Sequence, residues 1–356
     1  MNSKERVLRA VQHQAPVDRT PITFDAEKEV FEALYDHFGD RSRENLFDRL
    51  GCDTWMVLPT NYINFAEDAG KTEKTTIWGW KSVVMKYVGG TYEELCFSPL
   101  AGKDDLSDID RYSWPDPDVQ DFSHFASEIA AHKDRAIIAA SSYGSYFIAS
   151  FLRGMEGILI DFASNERYAE RLISVISERV IAFLQNMLDR AGDGIDIVYM
   201  ADDYCGQHGP LFGPAAFKRF VVPYLSRVVD LAHRHGKKFL LHVCGGVRPL
   251  LPMIIDCGVD MLEPIQVRAR GMDPVGLKRD FGKHLCFYGG LDLQEVLRCG
   301  TPEPVREETR FLIDTLGQDG GYVFGPGHTY IQVDAPIENI IAMYETAQTW
   351  PRITRM

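Results

Sequence analysis

Short apolar runs alternate along this chain with longer stretches whose apolar positions recur every three or four residues. The runs occupy residues 21–24 (PITF), 52–58 (CDTWMVL), 136–142 (AIIAASS), 195–200 (IDIVYM), 238–243 (KFLLHV), 261–264, 285–288 and 322–324. Their length suits strands rather than helices. Between them, residues 168–188 place Leu172, Ile176, Val180, Phe183, Leu184 and Met187 on one helical face. Residues 214–233 do the same with Phe217, Phe220, Val221, Tyr224, Val228 and Leu231, so one helix is expected there. A further helix is expected over 27–37. Thr301-Pro302 reads as an N-cap with proline in the first turn, and Asp334-Ala335-Pro336 opens the last helix in a similar way.

Eight strands alternating with helices predict an α/β protein, either a (β/α)8 TIM barrel or a doubly wound sheet. No G-x-G-x-x-G follows an early strand, which removes support from a dinucleotide-binding sheet. Residues 60–130 break the alternation: they are polar, hold Trp78, Trp80 and Trp114, and suggest a hairpin around Gly89-Gly90. They read as an insertion that covers one end of the barrel, or as a plain decoration of it. The length of 356 residues, set against a typical domain of about 150, would by itself suggest two domains. The alternation instead predicts a single barrel domain over residues 1–356.

Composition narrows the function classes. Lys and Arg number 38 against 51 Asp and Glu, a net charge of −13, which argues against a nucleic-acid surface. Residues 1–16 are charged and lack a signal-peptide core, and no apolar run is long enough to span a bilayer. The seven cysteines are scattered and odd in number, unlike a disulfide framework. A cytoplasmic protein in a reducing compartment is expected, with no membrane partner and a homodimer left open.

In a barrel of this kind, reactive groups sit where strands run into the following loops. The polar residues at those places are Asp25 after the first run, Tyr143 after the third, and Asp202, Asp203, Cys205, Gln207 and His208 after the fourth. His242 and Cys244 end the fifth, Glu263 and Gln266 the sixth, Asp292 follows the seventh and His328 the eighth. His242-x-Cys244 is the sharpest feature, because residues i and i+2 of a strand share a face and imidazole and thiolate are ligands that zinc prefers. Gly245-Gly246 would let the chain turn sharply after it. On the dipeptide alone, a buried strand cysteine beside a hydrogen-bonded histidine is the plainer account. His328, in Gly-Pro-Gly-His, brings a second imidazole to the same mouth, as a metal ligand or as an acid–base group. Glu263 is a fourth candidate ligand. Asp202 and Asp203, as neighbours on a strand, should point apart, one toward the site as a base and the other to a loop. Either could equally make an Asx-type turn. Tyr143 is a candidate catalytic or packing aromatic. Asp25, Gln207, Gln266 and Asp292 are candidate substrate contacts.

The order of these features resembles the uroporphyrinogen decarboxylase superfamily. The matching phrases are Lys4-Glu5-Arg6-Val7, Asp18-Arg19-Thr20-Pro21, Asp202-Asp203, Phe217-Lys218-Arg219-Phe220 with Pro223-Tyr224, Gly289-Gly290, Gly320-Gly321 and Pro336-Ile337-Glu338-Asn339-Ile340. The resemblance spans essentially the whole chain, is strongest over 195–345, and implies a (β/α)8 barrel. The true decarboxylases carry Met-Arg-Gln-Ala-Gly-Arg-Tyr shortly after the first strand to hold substrate carboxylates. Residues 24–30 (FDAEKEV) have no arginine there and two glutamates. The second branch of the superfamily, the corrinoid-dependent methyltransferases including the methylcobamide:coenzyme M enzymes, builds a zinc site from His-x-Cys and a later Cys. His242 and Cys244 match its first two positions, and His328 stands where the later Cys would be. The resemblance therefore implies a zinc-dependent methyltransferase acting on a small thiol or methoxy compound. The chain lacks a corrinoid-binding Asp-x-His-x-x-Gly motif, which implies a cobamide carried by a separate protein. A metal-independent decarboxylase, and a barrel that only binds a tetrapyrrole or a corrinoid protein, are the two other expectations.

Overall fold

A computed structural model describes residues 1–15, 18–65, 68, 70–87, 90–191, 194–317 and 319–350. Seven parallel strands form one curled sheet in chain order: Thr54–Val57, Ala136–Ala139, Ile197–Ala201, Lys238–His242, Met261–Glu263, Cys286–Tyr288 and Tyr322–Val323. Each is shorter than the apolar run that predicted it, because the last residues of several runs already belong to the loops. The first run, 21–24, is the eighth stave. It joins the sheet through a single parallel bridge, Ile22 to Phe324, with Thr23 N donating to Phe324 O and Asp53 N donating to Ile22 O. The fold is a (β/α)8 barrel.

Alternation along the strands divides the core in two. Inward residues Ile138, Ile197, Leu240, Met261, Cys286 and Val323 pack inside the cylinder, and Val7 and Val11 of the helix Ser3–Val11 plug it from below. Outward residues meet the helices; Leu172, Ile176, Val180 and Phe183 of Glu166–Ala191 belong to that outer layer. The helix expected over 214–233 is broken into Pro214–Phe220 and Val222–Arg234. Pro223 is the reason: it has no N–H to donate and its ring would collide with the carbonyl of residue 219 in a continuous helix. The last helix, Ile337–Thr349, takes Pro336 as its N-cap rather than within its first turn.

Residues 60–130 hold a separate three-stranded antiparallel sheet of Glu73–Thr75, Lys81–Tyr87 and Gly90–Phe97. The expected hairpin is therefore present, although Gly89 at its turn lies outside the described residues. Trp78 and Trp80 are buried and anchor the insertion on Phe183 and Phe151. Among the described residues no helix is long and apolar enough to cross a membrane. All seven cysteines are free.

Asp53, completely buried, joins three parts of the chain at the lower rim. Arg6 Nη1 (2.5 Å), Arg19 Nη1 (2.7 Å) and the backbone N of Ile22 (2.8 Å) all donate to its carboxylate. Asp18 holds Arg6 from the other side. Removing one partner of a buried pair strands the other charge at a cost of about 3 to 5 kcal/mol. Asp53→Asn should therefore lower the unfolding free energy by an amount of that order, read from urea unfolding monitored by tryptophan fluorescence. An unchanged midpoint would show that barrel closure does not rest on this carboxylate.

Candidate metal centre

Strand register sets the first level of the site. Ala201 and Glu263 both stand opposite His242 in the neighbouring strands. His242 follows the inward Leu240, so its ring points into the upper end of the barrel. Two residues on, Cys244 returns to the same side. The chain then turns at Gly245 with φ +91°, where a Cβ would lie 2.4 Å from the carbonyl oxygen of Gly206, so only glycine fits. Gly289, at φ +81°, lets the loop carrying His328 approach closely: a Cβ there would meet Pro326 O at 2.3 Å.

Cys244 Sγ lies 3.4 Å from His242 Nε2, and Asp203 Oδ1 lies 3.7 Å from the same nitrogen. Asp203, His242 and Cys244 each bring a donor atom within 4.8 Å of the others. His328 faces the cluster and is coupled electrostatically to Cys244, its ring centroid 6.0 Å from that of His242. Its Nδ1 accepts from Tyr330 N at 3.3 Å, so Nε2 is left to face the sulfur. Gln266 Nε2 donates to Sγ at 3.4 Å, while Gln266 Oε1 accepts from Gly245 N and from Gln207 Nε2.

Glu263, counted among the ligand candidates in the sequence, faces the opposite nitrogen. Its Oε2 is 3.2 Å from His242 Nδ1, and Thr329 Oγ1 donates to its Oε1 at 2.9 Å while standing 3.1 Å from His242 Nδ1. Being level with His242 in register, the carboxylate meets the nearer ring edge. Asp203, which the sequence suggested as an acid–base group, stands one step above, with its carboxylate beside the sulfur and His242 Nε2. Its Oδ1 also accepts from Cys244 N at 2.8 Å.

Asp202 points the other way. It is buried and accepts from Tyr146 N, Phe147 N and Tyr204 Oη, tying the helix Ser145–Arg153 to the strand end. Burial outweighs these bonds and raises its pKa to about 7. Asp292 caps the turn Leu293–Leu297 and pairs with Arg268 Nε at 2.9 Å, lining a second pocket with Gln207, Gln266 and His328. Asp25 lines the central cavity, its pKa raised by burial to about 6. Cys205 is buried in the outer core, where burial pushes its thiol up to about 12, and His208 is exposed.

The charge coupling is directional. Burial opposes ionisation of Cys244, but His242 and His328 together outweigh it and lower the thiol's pKa. Burial likewise opposes charge on His242, yet Glu263 and Cys244 raise its pKa well above the usual value. The cluster thus favours a thiolate beside protonated histidine; the thiolate is the form in which sulfur binds a metal, and metal binding would release the histidine proton.

Asp203, His242, His328 and Thr329 open on a cavity of about 560 Å³ that Tyr62, Tyr143, Phe147, Tyr199, Tyr330 and Arg43 also line. Tyr199 was recoverable from alternation with Ile197, and Thr329 is next to His328. Tyr62 and Arg43 lie off the barrel strands, with no periodic signal to mark them.

A profile of the uroporphyrinogen decarboxylase (URO-D) family matches residues 99–350. The chain belongs to that family. Among curated relatives, the methylcobamide:CoM methyltransferase MtbA of Methanosarcina acetivorans is 22% identical over 213 residues, covering 60% of this chain and 58% of the relative. The methylated-thiol–coenzyme M methyltransferase of Methanosarcina mazei is 26% identical over 58% of this chain and 51% of its own length. A uroporphyrinogen decarboxylase of Azoarcus sp. is 25% identical over 52% and 48%. The chain thus spans about half the length of the curated relatives it matches. A solved methyltransferase from Methanosarcina mazei superposes with a TM-score of 0.69 at 18% identity, over 98% of both chains, and shares the fold. Of the URO-D-like phrases, Arg6, Asp18 and Arg19 form the clamp around Asp53, at the end of the barrel opposite the thiol cluster.

The two adjacent aspartates should separate experimentally. Asp202→Ala leaves three donors without their acceptor and should cost about 2 to 4 kcal/mol, whereas Asp203→Ala should cost about 1 kcal/mol. Denaturant unfolding of both variants checks this; equal losses would contradict the opposed orientation.

Proposed function

We propose that this URO-D family member is a zinc-dependent methyltransferase that moves a methyl group between a small substrate, a thiol or a methoxy compound, and a corrinoid carried by a separate protein. The observation that carries the reading is the donor set itself: the thiol of Cys244, the His242 imidazole and the Asp203 carboxylate converging at the barrel mouth, with His328 coupled to the sulfur beside them. Thiolate, imidazole and carboxylate donors suit zinc. His242, Cys244 and His328 would hold it, with Asp203 as a fourth ligand or beside an open position. Zinc bound there supplies Lewis-acid activation of a thiol or ether oxygen.

The remaining work falls to the chain. Glu263 and Thr329 hold the His242 ring from its Nδ1 side, the carboxylate–histidine arrangement that orients metal ligands. Gln266 positions the sulfur. Asp203, on the cavity wall, is placed to accept a proton from a thiol substrate. Tyr62, Tyr143 and Phe147 give an apolar wall that excludes water from the reacting end. The methyltransferase relatives support this reading. The decarboxylase relatives favour a second one, metal-independent decarboxylation, which predicts proton-dependent CO2 release from metal-free protein.

Metal analysis of the purified chain should find about one zinc per protein in the wild type and little in His242→Ala or Cys244→Ala. A wild type without metal, and unable to take up zinc, would sink the proposal. Glu263→Gln keeps the ligand atoms and removes the carboxylate behind them, so its zinc affinity should fall about 10- to 100-fold in a chelator competition. An unchanged affinity would remove Glu263 from the orienting role.

A further inference from the structure

Arg43 reaches the cavity from outside the barrel's own strands. It is the first residue of the helix Arg43–Arg49, whose N-cap Ser42 accepts from Asn45 N at 3.2 Å. The guanidinium carbon lies 4.7 Å from the ring centroid of Trp55, 5.1 Å from Phe47 and 5.7 Å from Phe31. Stacking on these faces holds the planar group without using its N–H donors. Among the described residues no carboxylate comes within 4 Å of it, and Arg43 stays solvent-accessible on the cavity wall. It is thus a fixed cation with its hydrogen-bonding fork unspent.

The acids that share the cavity are differently placed. Asp203 accepts from Cys244 N, Glu128 accepts from Trp55 Nε1 at 3.2 Å, and Asp25 accepts from Ala26 N at 2.9 Å. Each already has a partner within the chain. Opposite them, Tyr62 meets Tyr143 edge-on at 5.6 Å, and Tyr143 leans on Phe147 at 4.4 Å. One guanidinium without a hydrogen bond among the described residues, an aromatic wall and the Asp203, His242 and His328 side of the donor cluster therefore line one cavity. A polycarboxylate would find one guanidinium, histidines already engaged with the thiol cluster or with Leu58 O, and three acids.

We propose that Arg43 is the anchor for the substrate's anionic group, and that the substrate is a small aryl monocarboxylate. Its carboxylate pairs with the Arg43 fork, its ring packs on Tyr62, Tyr143 and Phe147, and its methoxy substituent faces the thiol cluster. This inference rests on the methyl-transfer reading for the role of that substituent, but the binding it describes needs no metal.

Isothermal titration of the 356-residue chain with 3-methoxybenzoate, the neutral 3-methoxybenzamide and 2-mercaptoethanesulfonate tests it. Wild-type protein, zinc-loaded or zinc-stripped, should bind the benzoate at least about tenfold more tightly than the benzamide. Arg43→Gln should abolish that preference while leaving the benzamide affinity unchanged, which also shows that the pocket is intact; Arg43→Lys should retain part of it. Equal binding of the two aromatic probes, no binding of either, or a preference that survives Arg43→Gln would overturn the proposal. Arg43-dependent binding of the sulfonate in preference to the benzoate would overturn the aryl assignment. Loss of zinc binding with the carboxylate preference retained would discredit the zinc reading and leave the anchor standing.

Discussion

Closing a sheet into a cylinder requires the stave that fills its gap to be held on both sides, and here the side toward Thr54–Val57 depends on Asp53. Its carboxylate draws Arg6 from the N-terminal helix, Arg19 from the approach to the first stave and the backbone of Ile22 to one buried point. The first stave makes only a single bridge to its neighbour and could not hold its register by ladder bonds alone. Higher in the barrel, Thr23 Oγ1 reaches Thr54 Oγ1 at 2.9 Å and Tyr288 Oη at 2.5 Å, a second tie across the same seam. Without closure, His328, which follows the last strand, would have no fixed relation to His242 and Cys244.

The upper end follows from that closed frame. Register puts His242 and Glu263 at one height, so the acid meets the ring from the side rather than from above. Loops add the next level: Cys244 by the turn at Gly245, Asp203 by the step beyond its strand, and His328 by the close approach at Gly289. The result couples charge. Two histidines stabilise one thiolate, and a carboxylate stabilises the protonated form of one of them, each effect strengthened by burial.

Much of this was legible from spacing. The alternation of runs predicted the barrel, and the i, i+2 relation of His242 and Cys244 predicted a shared face. The opposed directions of Asp202 and Asp203 followed from strand geometry and agree with their hydrogen bonds. What spacing does not carry is depth. Glu263 and Asp203 are both acids at strand ends, and one-dimensional reading ranks the first with the ligands and the second with the bases. Their heights along the barrel put Glu263 behind His242 Nδ1 and Asp203 beside the sulfur, a distinction that residue type alone does not make. Arg43 was invisible for a related reason: residues 24–30 hold no arginine, and nothing in the sequence shows that a helix further on returns one to the same cavity.

By itself, then, the sequence determined the elements, their alternation and the chemical inventory at the strand ends, because those depend on local periodicity and on residue type. The tertiary structure decided which members of that inventory touch. Contacts between strand ends depend on shear, register and loop closure, quantities shared between segments hundreds of residues apart. The thiol cluster and the guanidinium facing it are products of that closure.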